Sequence, residues 1–393
     1  MMAKASSIKM FEKPLGMRDT FSTIYEQVEY IRKTGRTVLK QHGYQFVKTP
    51  ALEYYDTIGK ASAIHDATLF KLVDTQGNTL VLRPDMTTPI TRLVTSKLLN
   101  EKNPQRLAYF ASVFRAQQQE GGRPAQFEQM GIELIGDKTY YADAEVITVC
   151  IELLRSLHIS DFKLTIGHAG VLGCILKDYT ENQEQADTLN ELLVERNFVG
   201  FEEAVKGFRL PATKENALIS FMNEALNCTN LQQIEEFIRN NEDLKYLQQL
   251  LMILERSGYK QYITIDFTLA SHMSYYTGML FEVFASGSGF SIGNGGRYDG
   301  LLEYFDHNEG ATGFSLRIDR LLEIVEFDQE KTDETAILFD EAHYYEALPL
   351  AKQLREAGEN VTLQLISELP NKEAYETHFV KVIELVSKED ASK

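Results

Sequence analysis

The sequence predicts an α+β fold in which an antiparallel β-sheet is flanked by helices. Three observations lead to this prediction. Strand-like segments are concentrated before residue 168 and again after residue 261. Between about residues 171 and 257 the apolar residues recur at helical spacing, which predicts a helical insertion. The last 63 residues mix short strand-like and helix-like segments, which predicts a small C-terminal α/β segment.

The elements follow from local patterns. An amphipathic helix is expected to begin near Thr20 and to stop at Gly43, and a turn is expected at Gly77. Two further helices are expected at Thr87–Leu99 and Ala142–Leu157. The strand-like segments of the first half are Tyr44–Val47, which leads into Pro50, then Leu69–Asp74, Thr79–Leu82, Arg106–Phe114, Gln126–Ile135 and Phe162–Gly167.

Strands resume after the helical block. They are expected at Tyr262–Leu269, Leu280–Ala285 and Phe290–Ile292, with a closing helix at Asp319–Glu326. The Gly295-Gly296 pair is expected to form a tight turn. The C-terminal segment is expected to contain strands at Ala336–Phe339 and Val361–Leu365, a helix at Tyr344–Glu356, and a strand or helix at Val380–Val386.

Composition indicates a globular protein with more than one domain. The 393 residues are 44% hydrophobic and 25% charged, and this length exceeds one ordinary core. We expect a core at residues 1–330, interrupted by the helical insertion at about 171–257, and a short segment at 331–393. Apolar runs fall short of the roughly 20 residues of a membrane span. Three widely spaced cysteines and no apolar leader favour reduced thiols and a cytoplasmic location.

Charge weighs against nucleic acid as a ligand. The formal net charge is −17, and the C-terminal segment has 7 Lys and Arg against 13 Asp and Glu. The histidines and cysteines lack metal-ligand spacing, and glycine loops of the Walker or dinucleotide-binding type are missing. No metal, cofactor, membrane or tRNA partner is therefore expected.

Six motifs then follow one another along the chain. They are Leu82–Thr87, Phe114-Arg115, Gln129–Glu133, Ser271–Gly278, Gly295–Gly300 and Asp319-Arg320. In this order they resemble the active-site motifs of histidyl-tRNA synthetase, a class II aminoacyl-tRNA synthetase, over about residues 8–330. The resemblance implies a class II synthetase-like sheet and self-association as a dimer through the first helix and strand.

The resemblance also implies a histidine pocket. Gln129 and Glu133 lie four residues apart on a strand, so both face the same side, and their oxygens suit an ammonium group. Arg115 suits bidentate contact with a carboxylate. Adjacent tyrosines on a strand point to opposite faces, so we expect only one of Tyr275 and Tyr276 in the pocket. The implied histidine-binding residues are Asp85, Thr87, Arg115, Gln129, Glu133, Tyr275, Tyr276 and Tyr298.

Three departures from the synthetase pattern affect ATP or the adenylate. Ser271 stands where the synthetase has its catalytic arginine, and Arg317 stands where it has a glycine beneath the adenine. The loop at 117–124 lacks much of the usual charge, although Arg123 and Arg320 remain as candidate anion-binding residues. Since adenylate formation needs positioned cations, we expect no catalytic residue here.

A chain that keeps the histidine pocket but lacks the residues for adenylate formation resembles the regulatory subunits of ATP phosphoribosyltransferase, which are synthetase-like. This resemblance implies assembly with the short-form catalytic subunit, with L-histidine as the effector in feedback inhibition of the first step of histidine biosynthesis. Two alternatives stay open, namely a divergent but active histidyl-tRNA synthetase and a stand-alone histidine sensor.

Overall fold

The computed structural model describes residues 12–98, 104–116, 124–226, 231–238, 241–270, 275–327 and 334–387. The chain divides into two compact units, Met1–Glu326 and Phe327–Lys393. In the described part of the chain, no helix is both long and apolar enough to cross a membrane.

The first unit combines a large sheet with many helices. Its strands are β1 Gln45–Phe46, β2 Leu52–Tyr54, β3 Lys71–Val73, β4 Thr79–Leu82, β5 Gln105–Phe114, β6 Gln126–Ile135, β7 Phe162–His168, β8 Ile263–Ile265, β9 Met279–Ala285, β10 Gly293–Arg297 and β11 Ala311–Arg317. Its helices are α1 Ser22–Gln41, α2 Thr87–Leu93, α3 Tyr140–Ser156, α4 Ala169–Tyr179, α5 Gln183–Val194, α6 Phe198–Gly207, α7 Ala212–Leu226, α8 Gln232–Glu235, α9 Glu242–Arg256, α10 Asp299–Glu303 and α11 Ile318–Leu321.

Eight strands form the large sheet, in the order β1-β5-β6-β11-β10-β9-β7-β8. The six central strands, β5 to β7 in this order, run antiparallel to one another, which confirms the expected antiparallel sheet. The two edge strands differ from the expectation, because β1 pairs with β5 and β8 pairs with β7 in parallel. The predicted hairpin of β3 and β4 pairs with β2 in a separate three-stranded antiparallel sheet.

Side-chain alternation along β6 gives the large sheet two different faces. Met130, Ile132 and Leu134 belong to the main core, together with buried residues of α1, α3 and the helices α4–α9. Because successive side chains of a strand point to opposite faces, Gln129, Gly131 and Glu133 face away from that core. The polar face of β6 therefore carries the motif residues, while its apolar face anchors the strand.

The helical block has the periodicity that the sequence predicts. Helices α4 to α9 run from Ala169 to Arg256, and α9 buries Leu244, Leu247, Leu250 and Leu254 along one side. The first helix buries only part of its apolar side. Val28, Ile31 and Leu39 are buried, whereas Ile24 is 44% exposed.

Two strands of the sheet escape prediction. The strand β10 has the sequence Gly-Asn-Gly-Gly-Arg, whose glycines disfavour a strand by propensity, and β11 begins Ala-Thr-Gly. Residues 290–292, predicted as a strand, precede β10 instead. The segment predicted as a strand at 262–269 contains only the three residues of β8. Pairing with neighbouring strands thus overrides local propensity at β10.

The second unit is a small α/β arrangement, as predicted. Its elements are β12 Glu334–Phe339, α12 Tyr344–Glu356, β13 Asn360–Leu365, α13 Lys372–Glu376 and β14 Lys381–Leu385. The three strands are parallel in the order β13-β12-β14. The last segment is therefore a strand. Ile337 of β12 packs with Ala347 and Ala351 of α12 in the core of this unit.

Candidate functional site

The site is built on a floor of glycines at the centre of the large sheet. In register across β6, β11 and β10 lie Glu133, Gly313 and Gly296. A Cβ atom at Gly313 would lie 2.1 Å from Glu133 Oε2, and one at Gly296 would lie 2.9 Å from the Tyr276 ring. The expected tight turn at Gly295-Gly296 is wrong, since both residues belong to β10. Their lack of side chains instead lets pocket groups lie against the strands.

Glu133 is the buried acidic group of this floor. The Thr87 hydroxyl donates to Oε1 at 2.9 Å, and the Tyr298 hydroxyl donates to Oε2 at 2.5 Å. Burial raises the pKa of the Glu133 carboxyl to about 8, against the opposing effect of these two hydroxyl groups, and the nearby Asp85 carboxylate adds to the rise. Among the described residues, no Lys, Arg or His forms an ion pair with Glu133.

Asp85 lies immediately before α2 and is also buried, with 3% of its surface exposed. Its Oδ1 accepts a hydrogen bond from the Thr88 amide at 2.9 Å, which caps the first turn of α2. Its Oδ2 accepts from the Ser62 hydroxyl at 2.7 Å. Asp85 therefore positions Thr87 and contributes negative charge beside Glu133.

The tyrosine pair does not behave as the sequence predicts. Tyr275 and Tyr276 precede β9, so the alternation of a strand does not apply to them. Their ring centroids are 5.3 Å apart, and the centroid of Tyr275 lies 5.9 Å from that of Tyr298. The expectation that only one of the pair enters the pocket is wrong, because both pack with the groups around Glu133. Burial raises the pKa of all three hydroxyl groups, which keeps them as hydrogen-bond donors.

Gln129 is joined to Tyr276 by long polar contacts across three strands. Gln129 Nε2 lies 3.5 Å from Ser315 Oγ, Ser315 Oγ lies 3.4 Å from Asn294 Oδ1, and Asn294 Nδ2 lies 3.4 Å from the Tyr276 hydroxyl. Asn294 and Ser315 were not predicted from the sequence, and neither was the buried Tyr109 of β5. Alternation would have assigned Asn294 to the face of Gly296, but only if β10 had been recognised as a strand.

The arginines lie at the margin of this pocket. Arg115 follows β5, its Nε donates to the Pro84 carbonyl at 2.9 Å, and its guanidinium lies 5.4 Å from the Phe127 ring centroid. Arg317 covers the same ring at 3.9 Å, and Asp319 holds it through two hydrogen bonds of 3.1 and 2.6 Å.

One of the two candidate anion-binding residues lies within the described part of the chain. Arg320 donates to the Ser291 carbonyl and lies over the Phe290 ring. Arg123, like Ser271, lies outside the described residues.

The structure thus brings most of the predicted histidine-binding residues to one face of the sheet. Two buried carboxyl groups, several hydroxyl groups and an amide converge there, which suits a small ligand rich in N–H donors. In the part of the chain that the structure describes, no group of three His, Cys, Asp or Glu side chains is arranged to hold a metal ion.

Comparison with known proteins first defines the class. The family model for histidyl-tRNA synthetase matches residues 16–321, and a model described as the C-terminal domain of histidyl-tRNA synthetase HisZ matches residues 336–387. A histidyl-tRNA synthetase from Nostoc shares the fold, with a TM-score of 0.76, 19% identity and coverage of 97% of this chain and 93% of the other. The chain therefore has the fold of a class II histidyl-tRNA synthetase.

Relatives of higher identity define the family more closely. An ATP phosphoribosyltransferase regulatory subunit from Lysinibacillus sphaericus is 61% identical over 98% of this chain and 100% of its own length. The Bacillus subtilis protein of that name is 43% identical, covering 95% and 96% of the two chains. A crystal structure described as ATP phosphoribosyltransferase regulatory subunit/histidyl-tRNA synthetase from Bacillus halodurans matches with a TM-score of 0.88 and 41% identity, over 97% and 99%. This chain belongs to the family of ATP phosphoribosyltransferase regulatory subunits.

Proposed function

We propose that this regulatory subunit has no synthetase activity and binds L-histidine in the pocket around Glu133, from which histidine inhibits the catalytic subunit. The observation that carries the binding proposal is the environment of Glu133. A buried carboxyl group whose hydrogen bonds from the described residues all come from hydroxyl groups is costly when ionised, and a ligand N–H group would relieve that cost. Histidine supplies such groups on its ammonium and its imidazole.

The other pocket residues fit the rest of the ligand. Arg115 borders the pocket and is suited to the carboxylate of an amino acid. The hydroxyl groups of Tyr276 and Tyr298 can hydrogen-bond an imidazole, which needs partners on two distinct nitrogens.

Replacing Glu133 or Gln129 by Ala should raise the histidine concentration for half-inhibition at least tenfold while leaving assembly intact. Glu191→Ala, an exposed carboxylate on α5, is the control that should change neither. Unchanged inhibition in both pocket variants would place the effector site elsewhere.

The position of Arg317 supports the lack of synthetase activity. Its guanidinium takes one face of the Phe127 ring and is fixed there by Asp319, so a nucleotide base cannot stack on that same face. A serine at residue 271 supplies no positive charge to a developing phosphate transition state. Histidine-dependent exchange of pyrophosphate into ATP should stay at background in the purified protein. Exchange above background would support an active synthetase instead.

The partner follows from the name that the relatives share. A regulatory subunit of ATP phosphoribosyltransferase implies a catalytic subunit with which it assembles, and we propose that this is the short form. The test mixes the two purified proteins and follows phosphoribosyl-ATP formation with and without histidine. Activity should appear only in the mixture and should fall when histidine is added. An inactive mixture without a complex would favour a stand-alone histidine sensor.

Self-association through the region of α1 and β1 is also part of the proposal. Exposed apolar side chains mark the start of α1, where Phe21 is 77%, Tyr25 53% and Ile24 44% exposed. A cluster of this kind on a helix that otherwise packs into the core suits an interface with a second copy. Light scattering should give twice the chain mass, and a Tyr25→Glu variant should shift it toward the monomer. A monomeric wild-type protein would contradict the proposal.

A further inference from the structure

The pocket places a second carboxyl group and several phenols around Glu133, and no cation of the described residues is in direct contact with it. The Arg115 guanidinium donates through Nε to the Pro84 carbonyl rather than to Glu133. The titratable groups that surround Glu133, from the other elements packed against it, are Asp85 before α2, Tyr109 of β5, the Tyr275-Tyr276 pair before β9 and Tyr298 before α10.

We propose that Glu133 carries a proton while the pocket is empty and releases it when histidine binds, so that histidine affinity rises with pH near neutrality. This inference rests on the proposed function, because it concerns the same ligand and the same pocket. The O–H bond of the Glu133 carboxyl breaks and its proton leaves to the solvent. The carboxylate that remains accepts a hydrogen bond from an N–H group of the ligand.

The geometry explains why the proton is present only without ligand. Glu133 is 1% exposed, so the ionised carboxylate has no solvent to stabilise it, and Asp85 adds repulsion from nearby. These effects raise the pKa of the empty-site carboxyl to about 8. At pH 7 roughly nine-tenths of the empty sites then hold the proton. A bound N–H donor stabilises the ionised form and lowers the pKa, which expels the proton.

Titration calorimetry of the full chain with histidine tests the proposal at pH 7.0 in phosphate and in Tris buffer. Phosphate and Tris take up protons with different enthalpies. The difference between the two binding enthalpies, divided by the difference between the two buffer enthalpies, therefore gives the number of protons released. We expect between roughly half and one proton per histidine. Between pH 7 and 8.5, where the imidazole of free histidine is mostly neutral and its ammonium mostly protonated, the affinity should rise about eightfold.

Two variants identify the group that releases the proton. Glu133→Gln should abolish both the buffer dependence and the rise in affinity with pH. Glu282→Gln is the matched control, because Glu282 lies on the same face of the sheet but is paired with Arg196 at 3.3 Å, and its proton count should equal that of the wild type. Should Glu133→Gln bind too weakly to titrate, the wild-type proton count and pH profile still decide the matter.

The contrary outcomes separate the two proposals. Histidine binding with equal enthalpy in both buffers would overturn the proton release and leave the histidine site standing. Proton release that persists in Glu133→Gln would assign it to another group and also overturn this inference. Failure of the wild-type protein to bind histidine at any pH would remove both proposals together.

Discussion

Two carboxyl groups are buried on opposite faces of the same sheet, and their surroundings differ. Asp143 of α3 lies behind the sheet, where Arg297 donates to its two oxygens at 2.8 and 3.2 Å and Tyr246 donates at 2.8 Å. Glu133 lies in front of the sheet, where hydroxyl groups are its hydrogen-bond partners.

The comparison separates a carboxylate that is paired with a cation within the chain from the carboxyl group that we propose binds a ligand. The charge of Asp143 is neutralised within the chain, and Arg297 also binds the carbonyls of Asp137 and Thr139 at 3.0 and 3.1 Å. Nothing further is needed for that cluster to be stable. Around Glu133 the hydroxyl groups of Thr87 and Tyr298 donate hydrogen bonds, but no described residue supplies a balancing cation, which is why we propose a ligand N–H group as its further partner. Arg297 and Tyr298 are adjacent, so the motif Gly295–Gly300 supplies a hydrogen-bond donor to Asp143 and another to Glu133.

Breaking the cluster around Asp143 should have the largest effect. Arg297→Met removes the cation and leaves a buried carboxylate without its ion-pair partner, which should cost about 3–5 kcal/mol of unfolding free energy. Chemical denaturation followed by circular dichroism measures it. Arg106→Met is the control, because the Arg106–Glu145 pair is part-exposed and its loss should cost no more than about 1 kcal/mol. Equal losses in the two variants would contradict the comparison.

The carboxyl group of Glu133 should make the stability of the free protein fall as pH rises. Its pKa is about 8 in the folded chain against 4.5 for an ordinary glutamate, so between these values only the folded state holds the proton. The stabilisation is therefore present at pH 5 and is lost by pH 8, on the order of 2–4 kcal/mol. In Glu133→Gln this loss should be absent, as denaturation at pH 5, 6.5 and 8 would reveal. A parallel decline in both proteins would argue against an unusual Glu133.

The glycine floor should be intolerant of a single methyl group. A Cβ at Gly313 would meet Glu133 Oε2 at 2.1 Å and the Ile132 carbonyl at 2.4 Å, and the latter cannot rotate away. Gly313→Ala should therefore cost about 1–3 kcal/mol of unfolding free energy and weaken histidine binding. Gly173→Ala in α4 is the control, because no atom lies within 4 Å of its Cβ and helix propensity favours alanine. An unchanged free energy of unfolding in Gly313→Ala would show that the sheet adjusts more than expected.

The smallest effect should come from Tyr246, which brings α9 of the helical block to Asp143. Tyr246→Phe removes one hydrogen bond to a charged group but keeps the Arg297 pair, so a loss of about 1–2 kcal/mol is expected. Thermal or chemical denaturation would measure it. A loss as large as that of Arg297→Met would mean that the hydroxyl, and not the guanidinium, stabilises the buried carboxylate.

Most of the fold was predictable because long segments carry strong periodic signals. The strand at Gln126–Ile135 is found as predicted, and α1 ends just before Gly43, whose φ of +83° suits glycine. Propensity does not predict strand β10, because its glycines disfavour a strand. These positions are glycine because neighbouring groups leave no room for a side chain. Gly295 would collide with the Phe281 ring and the Gly313 carbonyl if it had a side chain.

The sequence predicts site residues whose side-chain type suits one kind of contact, such as a carboxylate for an ammonium group. It does not predict residues that reach the site only through the pairing of strands. The resemblance to histidyl-tRNA synthetase pointed to Glu133 and Gln129, and their spacing on a strand predicted that they share a face, which they do. Asn294 and Ser315 became visible only through the pairing of β10 with β11, which joins residues 21 apart. Tyr275 and Tyr276 both pack with the groups around Glu133 because of the loop conformation before β9, which alternation rules do not describe.

The lengths of the strands in the large sheet bear on how this chain associates with others. The inner strands β5 and β6 have ten residues each, whereas the edge strands β1 and β8 have two and three. Edges this short offer too few unpaired backbone N–H and C=O groups to recruit a strand from another chain. The large sheet is thereby protected against edge-to-edge aggregation.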